Sequence, residues 1–162
     1  MCYQPDNVQT VFNASTTGVA QETCRDLGHT SYSIAAAANA AETAILQGLD
    51  IYAADFDKRL AGSYEFHARL LIDDKTHVPL LCSGAPLSLH TAPTFEVGYA
   101  ALALRRGLAL PLTMQHIVAS VRTMPNPVDA HMMVFETLTH GALPAPSIAA
   151  RLSRPEREVA MP

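Results

Sequence analysis

Hydrophobic and polar positions alternate along this chain with a helical period, and no segment gives a convincing period of two. Residues 29–47 predict a first helix, built around the consecutive alanines Ala35 to Ala38, the strongest helix formers. Gly48 suits its C-terminal cap. Asp55 or Asp57 opens a second helix running to about Ile72, with Phe56, Leu60, Tyr64, His67 and Leu71 on one face. The short link between the two suits an antiparallel pair. A third helix is predicted from Thr94 to Arg106, with Phe95, Gly98, Tyr99 and Leu102 inside and Gly107 at its end. A fourth spans Pro111 to Thr123, since proline suits a first turn, and Pro125 and Pro127 break it. His131 to His140 predicts another, stopped by Gly141. Val78 to Cys82 is the best short strand candidate.

The pattern therefore predicts an all-α chain of consecutive helical hairpins. Residues 1–28, polar and rich in Thr, Asn and Gln, read as an N-terminal loop segment. Residues 29–141 carry the helical domain, and residues 142–162, with prolines and mixed charges, read as a flexible C-terminal tail.

Composition narrows the function classes. The chain has 162 residues, enough for one domain with a real core. It is 49% hydrophobic and 16% charged, a globular composition. A net charge of −4 supplies no basic field for nucleic acid or acidic lipid, so neither is an expected partner. No apolar run reaches the roughly 18–20 residues of a membrane span. The N-terminus lacks the basic and apolar regions of a signal peptide. Cys2, Cys24 and Cys82 have no metal-type spacing; reduced, partly buried thiols are expected, with one bridge plus a free thiol as the alternative.

Candidate chemistry gathers in Glu22-Thr-Cys-Arg25-Asp-Leu-Gly-His29-Thr-Ser-Tyr32. A guanidinium, an imidazole and a phenol meet at the entrance of the first helix. Arg25 can neutralise a carboxylate; His29 and Tyr32 can move protons. Along the helix, His29, Tyr32, Ala36, Asn39, Thr43 and Gln47 fall within an arc of about 80°. Uncharged hydrogen-bonding groups in such a stripe suit a cleft for a polar ligand such as a sugar. The same stripe also suits plain exposure or pairing with a neighbouring helix. Arg25 could simply pair with Asp26 or Glu22, and Tyr32 could be a core aromatic. Asn39 and His67 complete the candidate substrate-binding set, although the apolar arc around His67 favours a core or supporting residue over a ligand. His131 and His140 lie too far apart for a compact metal signature, and there is no phosphate loop or nucleophile elbow.

The segment from Cys24 to Leu71 resembles the alginate lyase domain family. Arg25-Asp-Leu-Gly-His29-Thr30 matches a motif that opens a helix there, followed by Ala40-Ala-Glu42-Thr-Ala44 and Gln47-Gly48. Tyr64-Glu-Phe-His67-Ala-Arg69, Pro93-Thr-Phe-Glu96-Val-Gly-Tyr99, Pro111 and Phe135-Glu-Thr-Leu-Thr-His-Gly141 continue the likeness in order, over residues 21–141. The resemblance implies a partial (α/α) toroid and a polysaccharide lyase that cleaves alginate or a related acidic uronate polysaccharide by β-elimination. It assigns Arg25, His29 and Tyr32 to catalysis: Tyr32 as proton donor to the leaving oxygen, Arg25 on the substrate carboxylate or on Tyr32, His29 in binding or proton transfer. No metal, redox or organic cofactor is expected for this elimination. A secreted or periplasmic location is implied for the family. Its Asn/His element, which helps at C5, has no counterpart here, because no Asn-His sequence occurs. The chain is thus expected to be a C-terminal portion, either a truncated lyase or a non-catalytic carbohydrate-binding remnant; an unrelated helical-repeat scaffold is the third reading.

Overall fold

A computed structural model describes residues 18–74, 76, 82–124 and 140. Among them the chain is all-α, with no strand. The expected helix at residues 131–140 lies outside the described residues except for His140, as do residues 1–17 and the tail at 142–162. Of the strand candidate, only Cys82 is described, and it opens a 3-10 turn, Cys82–Gly84.

Helix α1, Leu27–Leu46, begins two residues earlier than the alanine-rich pattern suggests. The reason is Asp26, an extended N-cap whose side chain accepts from the His29 amide at 2.7 Å. Such caps contribute about 1 kcal/mol. The Leu27 amide donates to the Ser88 carbonyl, so the helix start is also fixed from the later loop. Ile34, Ala35, Ala38 and Ala41 are buried, on the side away from Ala36, Asn39 and Thr43. Gly48, in the left-handed region at φ 82°, turns the chain out of the helix.

A 3-10 turn, Ile51–Ala54, leads to α2, Phe56–Ile72. The turn is held by Tyr52, which is buried, donates its hydroxyl to Glu42 of α1 and lies under the Arg106 guanidinium at 4.7 Å. Helix α2 buries Leu60, Tyr64, His67 and Ala68, the face expected from its spacing. Helix α3, Phe95–Gly98, runs directly into a π turn, Tyr99–Leu104, and α4, Pro111–His116, does the same through Ile117–Val121. Both cover ground predicted as ordinary helix. The widened turns are invisible to a periodicity of 3.6.

Two contacts set the packing. Tyr64 lies against Gly98, where an added Cβ would sit 2.0 Å from its Cζ. Only glycine permits that approach. The Glu65 carboxylate reaches from α2 to accept from the Leu112 and Thr113 amides at 3.1 and 2.8 Å, satisfying the first turn of α4. Farther along, Arg122 grips the fully buried Glu96 with two bonds of 2.7 and 3.0 Å, tying the end of the α4 segment to α3.

One expectation is corrected. Cys24 and Cys82 are not reduced thiols but form a disulfide, with Cα atoms 5.2 Å apart. The bridge sits in a small cluster with Leu27, Leu70 and Leu87, apart from the main core. Spacing alone could not pair residues 58 positions apart.

Reducing this bridge, which closes a loop with a sequence separation of 58, should cost about 4 kcal/mol in the chain-entropy account. Urea unfolding with and without reductant checks this, and an unchanged midpoint would contradict it. Gly98→Ala should destabilise by about 2 kcal/mol or more through collision with Tyr64, read as a lowered urea midpoint.

Candidate functional site at the entrance of α1

Residues 21–25 form a turn that delivers Arg25 and Asp26 to the start of α1. The Arg25 side chain is 60% exposed and meets Glu22 at 3.4 Å, a loose surface pair. Asp26 does more than the sequence suggested. While Oδ1 takes the His29 amide, Oδ2 lies 2.6 Å from the Nδ1 atom of the same residue. An ionised carboxylate only accepts, so Nδ1 carries the proton, and a neutral ring presents its Nε2 lone pair outward. Burial pushes the Asp26 carboxyl up, but the hydrogen bonds from the His29 amide and ring, then the charges of His29 and Arg25, hold it below the usual range. The imidazole is thereby oriented and electrostatically supported.

Tyr32 stands one turn on. Its ring meets His29 edge-on, with centroids 6.0 Å apart and planes at 67°. Arg25, His29 and Tyr32 therefore share one end of α1, with Asp26 as the member that sequence reasoning missed. The available signal was an Asp three residues before a His at a helix start. Overhead, the His90 ring lies close to Gly28, where an added Cβ would come within 3.2 Å of its Cδ2.

Asn39 is exposed, as are Ala36, Thr43 and Gln47, so this part of the polar stripe faces solvent among the described residues. His67 goes elsewhere. It is buried and fully engaged: Nδ1 lies 2.7 Å from the Ser63 carbonyl, and Nε2 lies 2.8 Å from the Thr23 hydroxyl. The carbonyl can only accept, which puts the proton on Nδ1 and makes Thr23 the donor to Nε2. Thr23 in turn accepts from the Ala20 amide at 2.8 Å. Beside it, the Ser63 hydroxyl donates to the Gly18 carbonyl at 2.7 Å. This relay pins the segment before α1 onto α2, two residues ahead of Arg25. His67 thus supports the site from beneath, as its apolar arc favoured, and is shut off from a ligand on the surface.

Burial lowers His67 to about 4, only partly offset by the Ser63 carbonyl, and burial lowers His116 to about 4 as well. His116 packs against Phe95 with centroids 4.7 Å apart, and neither ring nitrogen has a partner. A cavity between α1 and α2 and an open groove beside Pro111 are lined by none of Arg25, His29, Tyr32, Asn39 or His67. Among the described residues, no group of His, Cys, Asp and Glu is arranged to hold a metal ion, and no helix is long and apolar enough to cross a membrane. No family model, curated protein or solved structure matches this chain.

The two buried histidines make stability fall on the acid side. Their folded values lie below the unfolded value of about 6.5, so the unfolded chain binds more protons between that value and about 4. The stability they permit is complete above pH 6.5 and is lost as pH drops through this window, by about 3 kcal/mol each at pH 4. Urea midpoints at pH 7.5, 5.5 and 4.5, on the order of these steps, should decline steadily; a flat profile would contradict the assignment.

Proposed function

We propose that this chain is a portion of a polysaccharide lyase acting on alginate or a related uronate polymer by β-elimination, on a helical (α/α) toroid of which these helices form part. The observation that carries the reading is the Asp26–His29 pair set beside Tyr32 and Arg25 at a solvent-facing helix entrance. His29 and Tyr32 stand one helical turn apart, and Arg25 lies in the turn that leads into the helix.

In this reaction the proton on C5 leaves, a C4–C5 double bond forms, and the C4–oxygen bond breaks. Negative charge grows next to a carboxylate, which Arg25 neutralises. His29, held in the Nδ1–H form by Asp26, takes the C5 proton on Nε2. Tyr32 gives its hydroxyl proton to the departing glycosidic oxygen, and the two proton transfers balance through solvent before the next turnover. No metal or organic cofactor enters these steps. A location in an oxidising compartment, secreted or periplasmic, suits the Cys24–Cys82 bridge, because disulfides persist there.

A second reading is a non-catalytic carbohydrate-binding remnant of the same fold. Its specific support is the exposure of Arg25 and Asn39. A lyase site needs a drier enclosure than a binding surface does.

The full chain, incubated with several polyuronates, should generate the ultraviolet absorbance of unsaturated uronate. Tyr32→Phe should lower that rate by about 10²-fold or more while leaving polymer binding intact. Unchanged turnover in Tyr32→Phe would remove Tyr32 from the mechanism. Polymer binding without product in the parent chain would favour the second reading.

A further inference from the structure

Between the Gly18–Gln21 stretch, α1 and α2 lies a cavity of about 120 Å³. Ile34 and Ala37 of α1 and Phe56 and Leu60 of α2 give it apolar walls. Its polar groups are unusual in how they are used. The Ser63 hydroxyl is spent on the Gly18 carbonyl, and the Ser33 hydroxyl on the Thr30 carbonyl at 2.9 Å. Arg59 also lines the cavity, and its Nε–H is buried without a hydrogen-bond partner among the described residues. Asp55, whose charge Arg59 feels, is engaged by Lys58 at 2.8 Å. A half-buried guanidinium left with an unsatisfied donor in an apolar recess is costly unless something acceptor-rich completes it.

We infer that this cavity is a binding site for a short-chain aliphatic monocarboxylate, with Arg59 as its charge partner. The hydrogen-bond inventory dictates the class. Both serine hydroxyl protons are committed and Gln21, which also lines the cavity, is exposed, so the buried donor on offer belongs to a cation, and the fitting partner is an anion that only accepts. The walls ask for an apolar body behind that anion. Size sets the length: a dry cavity of about 150 Å³ holds benzene, so about six non-hydrogen atoms fit. A four-carbon carboxylate has that count, whereas a hexuronate has about twice as many and a polar ring. The site is therefore separate from the trio at the entrance of α1, and it stands whether or not the chain acts on polyuronates.

The test is an NMR titration of the full chain with butyrate, following the Arg59 Nε–H signal and the Ile34 methyl groups. Butyrate should shift both saturably, with half-saturation in the millimolar range or tighter, as so small a ligand allows. Butyramide, equal in size but uncharged, should bind at least tenfold more weakly. Arg59→Met should weaken butyrate binding at least tenfold. Ala37→Leu keeps the cation but fills the space, and should abolish the shifts; it carries the test if Arg59→Met does not fold. The inference is overturned if butyrate gives no saturable shift, if butyramide matches butyrate, or if either folded variant binds like the parent. Because the readout is binding, none of these results depends on lyase activity.

Discussion

A buried, neutral imidazole ties the segment leading into α1 to α2. His67 sits at the level where α2 meets the segment leading into α1, and it bonds both sides at once. Its Nδ1–H satisfies a carbonyl of its own helix, while its Nε2 accepts from Thr23, which itself accepts from Ala20. Protonation would set a second ring donor against the Thr23 hydroxyl and place a charge in a site with almost no solvent contact. The neutral ring protonated at Nδ1 satisfies the Ser63 carbonyl and the Thr23 hydroxyl at once. Arg25 and Asp26 follow two and three residues after Thr23, so the geometry at the entrance of α1 rests on it. The Cys24–Cys82 bridge reinforces the same segment from the opposite side, through the loop that also caps Leu27.

Much of this was legible in the order of residues. Helices α1 and α2 follow from alanine content and from the spacing of Leu60, Tyr64 and His67, because helical periodicity and burial are local properties. Gly48 and Gly107 end their segments with positive φ, as turn chemistry requires. The π turns after Gly98 and His116 were not legible, since a widened turn leaves no mark on a period of 3.6. Nor was the disulfide, whose partners are distant in sequence and meet only after folding. The polar stripe of α1 was correctly identified as a face distinct from the core. Its solvent exposure at Asn39 depends on what neighbours it, which no single helix encodes.

The site divides along the same line. Arg25, His29 and Tyr32 could be grouped as candidates because they are close in sequence around one helix start. Asp26 was overlooked as chemistry because its capping role is the commoner use of an aspartate at that position; here one carboxylate does both, with one oxygen for the helix and one for the imidazole. His67 shows the converse. A residue type that suggests catalysis is occupied by structure, with both ring nitrogens engaged in holding the segment before α1 on α2. Arg59 carries no sequence signal at all, because an unsatisfied donor becomes visible only when its surroundings are known.

The central claim, that a neutral His67 locks the entrance of α1, is tested most directly by ¹⁵N NMR of the histidine rings across a pH titration. The His67 ring should show a protonated Nδ1 and an accepting Nε2 throughout the neutral range, with no change until pH approaches about 4. A ring titrating near the ordinary value of about 6.5, or one protonated at Nε2, would contradict the account.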